Sequence, residues 1–288
     1  METLFRWSKF VDEEHLEEWE ARLIMAEVVY TADKQVRRKH WQLSSYSTTR
    51  DHADDLRSKF GGGVTEVRPG DWQPSAEAGA HSRLKIRDVL VVIESADDEV
   101  WESVREEYPD RIVLSFPPQL AFGTGGHPTT AGCLRFLADI AKSREGTDWN
   151  LLDLGCGSGI LAVAAAVLGA SRVIAVELDP LALKYARLNA ERHGVTDIVE
   201  FVEGDAIALM VARHFGPFEV VAANLFSDLL LQLFPLLPAN LKEEGDVIVS
   251  GFLTSQARSV TEQAATAGLT LTEYLRRGRW VAGCGKNV

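Results

Sequence analysis

Between residues 150 and 255, short apolar runs alternate with segments of helical spacing, and that alternation leaves few folds open to the chain. Residues 151–154, 172–178, 198–202, 218–223 and 246–251 are of strand length and apolar enough to be buried on both faces. A helix-period segment follows each of them, which implies crossovers back to parallel neighbours and a doubly wound, mostly parallel α/β sheet. Helix punctuation agrees with this reading. Asp179-Pro180 supplies an N-cap and a first-turn proline, Gly194 closes the helix that follows, and Gly268 closes another that opens near Ser255. The chain then runs 271–275, turns at Arg277-Gly278-Arg279 and returns over 280–284, so it is expected to end in an antiparallel hairpin.

The first part of the chain is organised differently. Residues 4–10 and 42–47 read as strands, and 12–26 and 51–60 as helices, the second ended by Gly61-Gly62-Gly63. This predicts a small α/β domain over 1–68. A connector over 69–120 contains Pro69, Gly70, Pro74 and Gly79, a strand at 88–93, a helix at 97–108 and a break at Phe116-Pro117-Pro118. The larger domain is expected over 121–288.

Composition narrows the function classes. With 46% hydrophobic residues, a chain of 288 can bury a large core without a metal or disulfide staple. Cys133, Cys156 and Cys284 show no C-x-x-C spacing, and the seven histidines show no ligand spacing, so no metal is expected and a reducing cytoplasm is. The start Met1-Glu2 does not resemble an export signal, and runs such as 160–170 are too short for a bilayer, so no membrane partner is expected. A net charge of -12 speaks against DNA and allows a basic protein partner. Residues 34–39, the only basic run, read as a solvated loop, with contact to RNA the alternative; the acids at 12–14, 17, 18 and 20 read as an exposed helix face, with docking of a Lys-rich protein the alternative.

The chemistry concentrates at Gly155-Cys156-Gly157-Ser158-Gly159, where an apolar strand gives way to an Ala-rich helix, with Asp153 two residues ahead. Glycines there let a ligand lie against bare backbone beside the free N–H groups of a helix start. Glu177 ends the next strand, where a carboxylate can accept from both ribose hydroxyls of an adenosine. The spacing is G-x-G-x-G rather than the G-x-G-x-x-G of a dinucleotide site, which disfavours a nicotinamide oxidoreductase. Cys156 reads as a small filler of the turn rather than a nucleophile.

This turn resembles motif I of class I S-adenosylmethionine-dependent methyltransferases. Further strings narrow the resemblance: Ala121-Phe122-Gly123-Thr124-Gly125-Gly126-His127-Pro128-Thr129-Thr130, Ala222-Ala223-Asn224-Leu225 and Gly278-Arg279-Trp280-Val281. Together they resemble the PrmA family of ribosomal-protein methyltransferases, strongly over residues 121–288 and faintly through Asp71-Trp72 and 85–93. The resemblance implies a seven-stranded sheet, S-adenosyl-L-methionine as cofactor, and transfer of methyl groups to amino groups of a large-subunit ribosomal protein by a monomer. It implies cofactor contacts at Thr130, Gly155, Glu177 and Asn224, with Asp153, Gly157 and Gly159 shaping the same turn. Asp205 would meet the adenine amino group or cap the next helix. Gly126 stands where the family usually carries a side chain, Glu177 replaces its more usual Asp, and residues 1–68 diverge.

The implied catalytic residues are Asn224 and His127. Asn224, at the carboxyl edge of a strand, would accept the hydrogens of an attacking amine and aim its lone pair; otherwise it ends its strand by bonding its own turn. His127 is either a general base or a fastener for a lid over residues 122–130. Thr129 and Thr130 would turn a hydroxyl to the cofactor or cap their helix, and Trp280 is a hairpin core residue or a channel wall. Other readings are a methyltransferase of another protein or of RNA, and a non-catalytic ribosome-binding adaptor.

Overall fold

The computed structural model describes residues 4–12, 15–26, 28, 30–34, 40–67, 83–118, 127–212 and 215–288. Readings placed on Glu13-Glu14, on the basic run past Lys34, on connector residues 69–79 including Asp71-Trp72, and on residues 121–126 lie outside them. The chain divides into two compact units, Met1–Gly79 and Ala80–Val288.

In the first unit the order is β1 (Leu4–Asp12), α1 (Leu16–Met25), β2 (Thr31–Lys34), β3 (His40–Ser47), α2 (Arg50–Phe60) and β4 (Gly63–Val67). The four strands form an antiparallel sheet in the order β2-β3-β1-β4, a split βαβ pattern used twice. Sequence reading finds β1, β3 and both helices but misses β2 and β4. It also starts the first helix too early. Asp12 instead extends β1, opposite His40, whose Nδ1 lies 2.6 Å from its carboxylate. Trp7, Leu23, Leu43 and Leu56 form the core, and Trp7 Nε1 donates to the Gly61 carbonyl at 2.7 Å.

The second unit begins with β5 (Leu84–Ile86), β6 (Leu90–Glu94), α3 (Asp98–Glu107) and β7 (Ile112–Phe116), a three-stranded sheet in the order β5-β6-β7. This adds two strands to the expected strand and helix. Strand alternation explains the sheet's two buried faces: Val91 and Ile93 pack under Trp101 and Val104 of α3, while Leu90 and Val92 join the main core.

Next come α4 (Pro128–Ser143), β8 (Asn150–Leu154), α5 (Ile160–Val167), β9 (Arg172–Glu177), α6 (Pro180–Arg192), β10 (Val199–Glu203), α7 (Ala206–Val211), β11 (Phe218–Asn224), α8 (Ser227–Leu233), β12 (Leu241–Leu253), α9 (Ala257–Thr266), β13 (Leu269–Arg277) and β14 (Trp280–Asn287). The seven strands pair in the order β10-β9-β8-β11-β12-β14-β13, parallel except for the antiparallel pairings of β14 with β12 and β13. The expected doubly wound sheet and terminal hairpin are both present.

Alternate strand residues enter separate cores on the two faces. Leu151, Ala175, Ala222 and Ile248 meet α4, α5 and α6; Leu152, Leu154, Val221 and Val249 meet α8 and α9. The alanines of α5 let that helix lie close on the sheet. Strand order reverses between β8 and β11, which opens a crevice at their carboxyl ends. None of the described helices is long and apolar enough to cross a membrane.

Candidate active site

The glycine turn leaves β8 at this crevice. Gly155, Gly157 and Gly159 have φ of 71°, 54° and 76°, a region that side chains disfavour. The Gly155 and Cys156 N–H groups both donate to the Val176 carbonyl, at 2.9 and 3.0 Å, which ties the turn to the end of β9. A Cβ on Gly155 would lie 2.4 Å from Leu225 Cδ2, so a side chain there would have to displace that of the residue after Asn224. Gly159 caps α5 and leaves room for Ala186 of α6.

Glu177 holds the turn. Its Oε2 accepts the Gly157 N–H at 2.9 Å, and its Oε1 accepts those of Leu178 and Asp179 at 2.8 and 3.0 Å. A carboxylate has about four acceptor positions, so capacity remains for a ligand hydroxyl. Its backbone carbonyl also accepts the Gly204 N–H at 3.0 Å, bringing the turn before Asp205 alongside. The Asp205 carboxylate itself accepts the Ala208 N–H at 3.0 Å, so it serves as the N-cap of α7.

Asp153 lies beneath the turn, buried, with Oδ2 unpartnered among the described residues. Burial, and to a smaller degree the charge of Glu177, push its pKa up to about 7, against a backbone hydrogen bond from Ala162. Cys156 is also buried; that burial, with the charges of Asp153 and Glu177, raises its thiol pKa, which fits a filler and not a nucleophile.

Asn224 ends β11 opposite Ser250 of β12, and the Leu225 N–H donates to the Ser250 carbonyl at 2.9 Å. Its Nδ2 points to Thr130 Oγ1 at 3.5 Å, and its buried Oδ1 has no partner among the described residues. A buried, unpaired amide oxygen is costly unless a ligand donor completes it. Thr130 is fully buried on the first turn of α4.

His127 belongs to the start of α4 rather than to the glycine turn. As N-cap, its Nδ1 accepts the Thr129 N–H at 3.4 Å and lies 2.7 Å from Thr129 Oγ1. Its ring meets Trp280 edge-on at 5.0 Å, joining α4 to β14. Burial, helped by the positive charge of Arg279, lowers its pKa to about 4, so it is neutral at pH 7.

The fold thus brings Thr130, Asp153, Gly155, Gly157, Gly159, Glu177 and Asn224 to one sheet edge through direct bonds or shared neighbours. Sequence reading missed Gly251 of β12. Its φ is 93°, and a Cβ there would meet the Leu225 carbonyl oxygen at 2.2 Å. A glycine inside a strand pattern signals such an approach, and that signal was present. Among the described residues no cluster suited to a metal ion occurs.

Comparison with known proteins places this arrangement. The ribosomal protein L11 methyltransferase (PrmA) family profile matches residues 5–287. Ribosomal protein L11 methyltransferases of Bacillus cereus (strain B4264) and Bacillus cytotoxicus are 33% and 32% identical over 226 residues, covering 78% of this chain and 68% of each relative. The crystal structure of ribosomal protein L11 methylase from Lactobacillus delbrueckii subsp. bulgaricus superposes with a TM-score of 0.58 at 27% identity, covering 71% of this chain and 98% of that one. The sheet order, the glycine turn and these matches agree: the chain belongs to the ribosomal protein L11 methyltransferase family.

Proposed function

We propose that this enzyme transfers methyl groups from S-adenosyl-L-methionine to amino groups of ribosomal protein L11. The observation that carries the reading is the pairing of a glycine cradle, Gly155, Gly157 and Gly159 braced by Glu177, with the buried Oδ1 of Asn224, unpartnered among the described residues. The cradle fits the cofactor. Bare backbone at the turn admits the amino-acid portion, Glu177 retains about one acceptor position for a ribose hydroxyl, and Thr130 with Asn224 closes the other side. When bound, the cofactor supplies an electrophilic sulfonium methyl and its own leaving group.

The chain's residues position and desolvate. A lysine amine, near pKa 10 in water, attacks only when neutral, and burial against Asn224 favours that form. Asn224 Oδ1 accepts an amine hydrogen, which turns the lone pair toward the methyl; the Thr130 hydroxyl, accepting from Nδ2, keeps that oxygen facing the amine. Of the two roles open to His127, fastening is favoured. A ring with pKa about 4, engaged through Nδ1 by Thr129, is a poor proton acceptor at neutral pH. Asp205 acts as a helix cap first, with adenine contact left to its second oxygen.

Residues 1–68 serve as the substrate-recognition domain, 69–120 as the connection and 121–288 as the methyltransferase domain. On this reading the protein is a monomer in the cytoplasm, acting without DNA or membrane; the three free buried thiols and the net charge of -12 support the compartment and the partner. Incubation with methyl-labelled cofactor and purified ribosomal proteins tests the reading. Label on L11 amino groups is expected; label only on RNA, or only on another protein, rejects it.

A further inference from the structure

Beside the first turns of α4, the second unit carries an open cavity of about 570 Å³ lined by Arg83, Lys85, Arg135, Arg276 and Arg277, with Leu84, Pro128 and Leu275 between them and Gly132 at its wall. These residues come from the start of β5, the middle of α4 and the end of β13, so the fold gathers cations from three distant stretches of sequence. Chance clustering is disfavoured by the composition, in which 42 acidic residues outnumber 30 basic ones.

Acidic partners at the cavity are sparse. Arg83 pairs with Glu107 at 2.6 Å, and Lys85 lies 4.7 Å over the ring of Tyr108. Arg135 donates to the Ala131 carbonyl of its own helix at 3.0 Å. Arg276 and Arg277, both exposed, have no carboxylate partner among the described residues. Arg87, beside the group, is already paired with Asp139 at 2.5 Å. Burial first, and then the charges of Arg277 and Arg87, lower the Arg135 pKa.

We propose that this cavity binds the phosphate backbone of RNA. Uncompensated like charges repel one another in the free protein, and a polyanion relieves that repulsion by releasing its own counterions. The predominance of arginine favours phosphate, whose oxygens match the guanidinium fork. The volume lies in the range of ordinary ligand pockets, room for a phosphodiester and its sugar. The proposal does not rest on the methyl-transfer reading, and its test uses no turnover to detect binding.

The test is fluorescence anisotropy of a labelled single-stranded RNA titrated with the full chain at low salt and at fourfold higher salt. Three neutralised phosphates give an affinity loss of about 20-fold across that salt step. Arg276→Gln combined with Arg277→Gln is expected to weaken low-salt binding about tenfold or more and to flatten the salt dependence. The Arg276→Lys, Arg277→Lys pair is expected to restore most of it. Arg135→Gln provides a second variant should the hairpin pair unfold, and Arg258→Gln on α9, outside the cavity, is expected to bind as the parent does. Methyl transfer to free protein substrate is expected to persist in the Gln pair. Absence of RNA binding at low salt, unchanged binding by both cavity variants, or equally tight binding of polyglutamate each overturns the proposal.

Discussion

Lowering the pH from about 8 to about 5 is expected to weaken the methyltransferase unit through His193, a residue with no part in the chemistry. Its ring lies between Trp101 and Phe116, with both centroids 5.1 Å away. Its Nδ1 donates to the Asn189 carbonyl at 2.7 Å, and its Nε2 accepts the Ser115 N–H at 3.1 Å, stapling α6 to β7. Protonation of Nε2 destroys that second bond. Burial is the main cause that lowers its pKa from 6.5 to about 4; the charges of Arg192 and Arg105 add to it, and the Asn189 carbonyl opposes it. The unfolded chain therefore takes up a proton on this residue before the folded one does. The stability it contributes is complete above about pH 6.5 and is lost as pH falls toward 4. At about 1.4 kcal/mol per pKa unit the full loss is about 3 kcal/mol, and at pH 5 about 2 kcal/mol. Asp153 works in the opposite direction. Its raised pKa makes the folded state bind the extra proton, so its contribution grows as pH falls below about 7. Whole-protein pH profiles therefore mix signs, and a variant comparison isolates the histidine. Urea unfolding of the parent and of His193→Gln is the assay. The variant is expected to be less stable at pH 8 but to lose about 2 kcal/mol less on moving to pH 5. Equal losses in the two proteins, or a His193 titration by NMR near 6.5, would refute the reasoning.

At the site, Asn224→Ala removes the amine's acceptor and one wall of the cofactor cradle, so kcat is expected to fall at least 100-fold, further than cofactor affinity does, with thermal stability little changed; steady-state kinetics beside calorimetry separates the two. Glu177→Gln leaves one acceptor oxygen for the three N–H groups the carboxylate now satisfies. Cofactor affinity is expected to drop tenfold or more, equivalent to about 1–3 kcal/mol, as read by calorimetry. Gly251→Ala forces a Cβ into the Leu225 carbonyl at a φ of 93°, and is expected to cost about 2–4 kcal/mol in chemical denaturation and to lower kcat by displacing Asn224.

What the sequence disclosed about this site follows from how local each determinant is. The glycine turn was readable because a strand that must give way to a helix against bare backbone needs glycine at its positive-φ positions, and Gly155, Gly157 and Gly159 meet that need within a single loop. Glu177 was readable as a strand-end acid, but its threefold bonding to Gly157, Leu178 and Asp179 was not, since that depends on how β8 and β9 pair. His127 was ambiguous for a similar reason: its neutrality comes first from burial and then from the charge of Arg279, and pattern alone does not place the hairpin that carries Arg279 and Trp280 against α4. The short strands β2 and β4 escaped notice because β2 carries charged residues and β4 begins at a glycine, so neither shows clear alternation; pairing with β3 and β1 makes them strands. The same logic explains why the basic cavity left no trace in the sequence. Arg83, Arg135 and Arg276 are each unremarkable surface residues in their own segments, and only the packing of β5, α4 and β13 converts them into one field. A charge pattern assembled by tertiary structure therefore has to be sought in the fold, even where the net charge of the chain points the other way.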